Sequence, residues 1–67
     1  MDLERCDLRG ADFRGSELKE ADLSYSILNG AKFKGADLRN SNMISSSLSG
    51  VNFENVNLSG SKMTYSI

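Results

Sequence analysis

The stretch NGAKFKGADLRN, residues 29–40, sets two five-residue phrases side by side: Ala31-Lys32-Phe33-Lys34-Gly35 and Ala36-Asp37-Leu38-Arg39-Asn40. Each runs from a small residue through a polar one to a large apolar one, and then through two turn-like or polar positions. Helices repeat near 3.6 residues and strands near 2, so a beat of five belongs to neither.

Stepping outward from Phe33 by fives in both directions gives Leu3, Leu8, Phe13, Leu18, Leu23, Leu28, Phe33, Leu38, Met43, Leu48, Phe53, Leu58 and Met63. All of these centres are large and apolar. Two residues before each centre stands a small or β-branched residue, from Cys6 and Ala11 to Val56 and Ser61, with Met1 the exception. The glycines at 10, 15, 30, 35, 50 and 60 all fall two residues after a centre. A repeat this regular decides the fold before any local propensity does.

On a straight helix, five residues at about 100° each would carry successive centres around the cylinder and define no face. On a flat strand, an odd period would put successive centres on opposite faces. Within one unit, however, the small and large residues are two apart and point the same way in an extended segment. Both can face inward if the chain turns a corner before the next unit. Glycine suits such corners because it tolerates positive φ. The number of corners follows from spacings of twenty: Phe13, Phe33 and Phe53 form one series, and Gly10, Gly30 and Gly50 another. Twenty residues make four units, so the expected object is a four-sided coil whose turns stack at a strand spacing of ~4.8 Å. Side one then carries Leu3, Leu23, Met43 and Met63 inside. Side two carries Leu8, Leu28 and Leu48, side three the phenylalanines, and side four Leu18, Leu38 and Leu58.

Units such as Ala11-Asp12-Phe13-Arg14-Gly15, Ala21-Asp22-Leu23-Ser24-Tyr25 and Ala36-Asp37-Leu38-Arg39-Asn40 resemble the pentapeptide-repeat family, whose consensus is A(D/N)LXX. The resemblance runs through residues 1–65. It implies an all-β fold, a right-handed quadrilateral parallel β-helix of about three coils, over a single domain 1–67. Ile27, Lys32, Ser47 and Lys62 depart from the consensus Asp or Asn. These positions point outward, so the fold is expected to tolerate them. The serine-rich stretch 42–50 keeps the register through Met43 and Leu48 and reads as coil, not as a linker.

Composition narrows the function. The chain has 67 residues, no His, Pro or Trp, and a formal net charge of −1. That balance attracts neither nucleic acid nor a strongly acidic partner. The lone Cys6 can form no internal disulfide, and no apolar run approaches the ~20 residues of a membrane span. The expected setting is the cytoplasm. Without His, no Ser-His or Cys-His pair is available. Cys6 reads as a spacer in a small inward slot, and alternation sends Ser61 and Lys62 to opposite sides of the wall. No catalytic residue, cofactor or small-molecule substrate is expected.

Asp2, Asp7, Asp12 and Glu17 offer one carboxylate per side. They splay instead of converging as metal ligands must, so no metal is expected. Arg14, Lys19, Lys32, Lys34 and Arg39 gather near the corner between sides three and four, where Glu17, Glu20 and Asp37 blunt their field. The corner between sides one and two is different. Tyr25, Ile27, Ile44, Tyr65 and Ile67 place large apolar side chains at outward positions along one edge, and contiguous exposed apolar surface marks contact sites.

Two functions follow as expectations. The first is a non-catalytic structural or protein-interaction module whose partner is a second copy or another protein, joined through an end coil or the apolar corner. The second comes from resemblance to gyrase-protecting members of the family: a DNA mimic that modulates a type II topoisomerase. A stack ~16 Å tall spans only about five base pairs at about 3.4 Å each, and the acidic rod such mimicry needs is missing. A repeat segment without independent function is a third expectation.

Overall fold

One bridge residue and one corner make up each five-residue unit. The computed structural model describes residues 2–64 and Ser66. The residue before each centre bridges in parallel to the residue twenty positions on: Asp2 to Asp22, Asp7 to Ile27, Asp12 to Lys32, Glu17 to Asp37, and so upward to Asn42 with Lys62. The bridges fall into four columns, one per side, and the expected coil of twenty residues is observed. Among the described residues, no wall pairs through more than a single bridge residue. The walls are shorter than the extended segments the alternation suggested, because the chain enters its next turn directly after the centre.

The backbone hydrogen bonds can be followed position by position. The N–H of most centres in the lower coils donates upward, as from Leu3 to the Asp22 carbonyl at 2.8 Å and from Phe13 to Lys32 at 2.7 Å. The corner residue donates upward as well, as from Arg5 to Ser24 and from Gly10 to Asn29. The bridge residue donates downward, as from Ile27 to Cys6 and from Lys32 to Ala11. In most units the small residue closes the turn onto its preceding centre, as from Ala11 to Leu8 and from Ala36 to Phe33. One N–H per unit is left over, that of the residue after the centre. The Asp or Asn at the bridge position accepts it through Oδ1, as from Arg14 to Asp12 at 3.1 Å and from Glu54 to Asn52 at 2.9 Å. Buried or crowded backbone donors need partners, and the consensus Asp/Asn supplies this one through an Asx-turn bond. The outward departures therefore have a structural cost: Ile27 and Lys32 carry no side-chain acceptor for this N–H.

Every described corner takes positive φ. Six are glycines, at φ 69–75°, while Arg5, Glu20, Tyr25, Asn40, Ser45 and Asn55 adopt 56–64°. A turn with positive φ at its third residue is the type II requirement, for which glycine or asparagine is best suited. At Gly60 a Cβ would also meet Asn40 Oδ1 in the coil below, so the Asn40 side chain would have to swing aside.

The centres face inward. Leu23, Leu28, Phe33, Leu38 and Met43 are fully buried, and Leu18 is nearly so. Leu3, Leu8, Phe13, Leu48, Phe53, Leu58 and Met63 are half-buried and pack against them. Full burial of a side chain of this size contributes about 1.5–3 kcal/mol, and the half-buried centres contribute less. The phenylalanines form one column: Phe13 and Phe33 stack at 5.0 Å and 11°, Phe33 and Phe53 at 5.8 Å and 15°. Ala21, Ala31 and Ala36 fill small inward slots, as do Ser26, Ser41 and Ser46. The Ser26 hydroxyl donates to the Leu3 carbonyl at 2.7 Å and accepts the Cys6 N–H at 3.3 Å, tying two coils at one corner.

Candidate interaction surface

The corner between sides one and two is built from turn residues that the wall cannot bury. Tyr25 sits at the positive-φ position and Ile27 at the following bridge position, and both side chains point out of the coil. They are 54% and 42% exposed, the two exposed large apolar side chains among the described residues. Ile44, one coil above on the side-one flank, is half-buried and widens the patch less than an outward position implied. Tyr65 and Ile67 lie outside the described residues. Below, the Arg5 guanidinium stacks over the Tyr25 ring at 4.8 Å from its centroid, a cation–π contact that holds the ring in place. Above Ile27 stands Ser47 in the same ladder. Between Arg39 and Glu54 the sequence contains no charged residue, so the upper part of this corner is uncharged.

The remaining outer surface is a set of local charge pairs. Arg9 with Asp7, Arg14 with Asp12, and Arg39 with Asp37 form two-pronged ion pairs at 2.6–2.7 Å, each between a bridge residue and its neighbour two on. The Arg39 guanidinium, then its backbone N–H, lowers the Asp37 carboxyl to about 2. Arg14 holds Asp12, and Arg9 holds Asp7, below the usual carboxylate range in the same way. Asp22 is lowered by the Ser24 hydroxyl and then by the Ser24 N–H. The basic gathering expected near sides three and four is thus partly neutralised: Arg14 and Arg39 are tied to aspartates, and Lys19 lies close enough to Asp37 to favour its charge.

Asp2, Asp7, Asp12 and Glu17 occupy four different ladders, as their spacing implied. The carboxylates that do approach one another are Asp2, Glu4 and Asp22, whose oxygens lie within 4.8 Å of one another on side one. Asp2 and then Asp22 raise the Glu4 carboxyl above its ordinary range. The signal for this cluster was present in the spacing of twenty between Asp2 and Asp22. Reading one side at a time along a single coil missed it.

Cys6 is unpaired and half-buried, and it occupies the small column beneath Ser26. Ser61 is half-buried and Lys62 exposed, which agrees with opposite directions across the wall. No pocket opens among the described residues, and no described helix is long and apolar enough to cross a membrane.

A family model for pentapeptide repeats matches residues 2–35 and 26–64, with eight copies. The chain belongs to the pentapeptide-repeat family. Among solved structures, it is similar to the pentapeptide-repeat protein Rfr23 from the cyanobacterium Cyanothece 51142, with a TM-score of 0.88 and 31% identity over 91% of this chain and 42% of that one. A pentapeptide-repeat protein from the Arabidopsis thaliana thylakoid lumen gives a TM-score of 0.70 and 27% identity over 96% of this chain and 62% of that one. HetL, a pentapeptide-repeat protein involved in heterocyst differentiation regulation in Nostoc sp. strain PCC 7120, gives 0.60 and 26% over 97% and 37%. The chain thus spans 37–62% of the length of these solved relatives. No curated protein matches it. Pentapeptide-repeat proteins form right-handed β-helices and are generally non-catalytic structural proteins.

Proposed function

We propose that this chain is a non-catalytic protein-interaction module: a right-handed square coil, placed in the cytoplasm, that self-associates through the corner of Tyr25, Ile27 and Ile44. The observation that carries this reading is that the two exposed large apolar side chains among the described residues stand next to each other on one corner. Exposed apolar patches on an otherwise polar surface are favoured contact sites. Arg5 pins Tyr25 from below, which reduces the side-chain entropy lost on contact. An end coil is the other route to self-association considered from the sequence, and the corner is favoured over it because the corner concentrates apolar side chains. The paired Arg and Asp side chains give a mixed field, unlike the acidic rod that a DNA mimic presents.

Sedimentation of the wild type and of a Tyr25→Asp/Ile27→Asp variant tests the reading. Asp is well tolerated at the positive φ of position 25, so the variant should keep its fold. The wild type is expected to associate with rising concentration and the variant to remain monomeric, with unchanged circular dichroism. Identical mass at every concentration for the two proteins would overturn the proposal.

A further inference from the structure

The charge pattern beside the corner bears on how the associated copies are arranged, given the reading of the corner as the contact surface. Side one adjoins that corner and carries an uneven charge. Its bridge column rises through Asp2, Asp22, Asn42 and Lys62 in one continuous ladder. The column beside it rises through Glu4, Ser24, Ile44 and Thr64. The wall is therefore acidic through its first two coils, neutral at the third and basic at the top. The acidic end is crowded, with the oxygens of Asp2, Glu4 and Asp22 within 4.8 Å of one another. Like charges held this close gain from an opposing cation.

Two copies can meet face to face through this wall about a two-fold axis in two ways. An axis parallel to the coil keeps height and exchanges the columns. Asp2 of one copy then faces Glu4 of the other, acid against acid. An axis across the wall inverts height and keeps the columns. Asp2 then faces Lys62, Glu4 faces Thr64 and Asp22 faces Asn42, while Ser24 is buried in its own coil. Only the second arrangement places opposite charges together, and it does so twice by symmetry. We propose that this chain forms an antiparallel, side-by-side homodimer through side one and the Tyr25 corner, with Lys62 of each copy seated against Asp2 and Glu4 of the other.

The area sets the strength. The molecule measures 22 × 22 × 19 Å, so one wall offers at most roughly 500 Å² per copy, and about 1,000 Å² in total is the lower bound of specific interfaces. The dimer is therefore weak and reversible. Its charged contacts are exposed at the two ends of the wall, where they fix orientation more than they add affinity. Because the contact is lateral, it does not depend on what stacks above or below the coil.

Sedimentation equilibrium on the full chain tests the arrangement by charge reversal. Lys62→Glu alone, and Asp2→Lys/Glu4→Lys alone, are each expected to weaken self-association by about tenfold or more. Mixing the two variants in equal amounts should restore it to within about threefold of wild type, because every reversed charge then meets its complement. The rescue also guards against a variant that merely folds poorly. A wild type that stays monomeric to about 1 mM overturns the dimer and the corner reading together. A dimer that is lost in Tyr25→Asp/Ile27→Asp but indifferent to Lys62→Glu overturns the antiparallel arrangement and leaves the corner reading standing. A dimer that follows the charge reversals and their rescue but ignores the corner variant supports the arrangement and overturns the corner reading.

Discussion

Replacing Phe33 by leucine removes the middle ring of the phenylalanine column while keeping the site apolar. Phe33 is fully buried and touches two rings, at 5.0 and 5.8 Å, whereas Phe13 and Phe53 each have one ring neighbour and are half-buried. A stacked aromatic pair contributes about 0.5–1.5 kcal/mol beyond its buried area. Phe33→Leu therefore costs about 1–3 kcal/mol, and Phe53→Leu about half as much. A chain of this length has a total stability of about 3–10 kcal/mol, so the middle substitution removes a large part of it. Near the midpoint, each kcal/mol corresponds to a Tm shift of about 4–8 °C at this size. The assay is urea and thermal unfolding followed by circular dichroism, with the urea m-value checked for constancy so that the comparison reads stability alone. If Phe13→Leu or Phe53→Leu proved as costly as Phe33→Leu, the three rings would not form a column with one middle member, and the reasoning would fail.

Asn52→Ala should destabilise by about 0.5–1.5 kcal/mol, because the Glu54 N–H loses its acceptor, while Lys32→Asn should stabilise by a similar amount by supplying one to Lys34; urea midpoints measure both. Ser26→Ala should cost about 1–3 kcal/mol, since the Leu3 carbonyl and the Cys6 N–H lose a buried partner. Ser41→Ala should be neutral or stabilising on the same assay, because the buried Ser41 hydroxyl has no hydrogen-bond partner among the described residues. Lowering the pH should weaken the fold through Asp37: its carboxyl is lowered to about 2, so its contribution is complete above its ordinary range near 4 and is lost as the pH falls from about 4 to about 2. Asp7, Asp12 and Asp22 act in the same direction, and Glu4, whose carboxyl is raised, acts in the opposite one. Urea midpoints between pH 5 and pH 2 should fall less steeply in Asp37→Asn, which keeps the Oδ1 acceptor but loses the charge.

The coil could be read from residues because its signal is a period, and a period survives the loss of any single unit. Phe13, Phe33 and Phe53 marked the twenty-residue turn, and the glycines at two past each centre marked the corners. Arg5, Glu20 and Tyr25 are poor residues for positive φ and adopt it anyway, because the ladders on either side leave the corner no other path. Local propensity alone would not have placed them there. The Asx-turn bond was hidden for a different reason. An outward Asp reads as a solvated charge unless each backbone N–H is followed to its acceptor, which needs coordinates. The surface was the least legible part. Tyr25 and Ile27 were placed outward correctly, but Ile44 tucks partly into the wall, and the Asp2–Glu4–Asp22 cluster joins residues that belong to different coils. The sequence orders residues along a coil, whereas surface chemistry here runs across coils.

The most direct test of the coil is the pattern of long-range proton contacts in a nuclear Overhauser spectrum. The account predicts backbone contacts between bridge residues twenty apart, Asp7 with Ile27, Ile27 with Ser47 and Lys32 with Asn52, together with ring contacts from Phe33 to both Phe13 and Phe53. Contacts at separations of fifteen or twenty-five, or an unbroken helical run of contacts three and four residues apart in place of those twenty apart, would contradict a four-sided coil of five-residue walls.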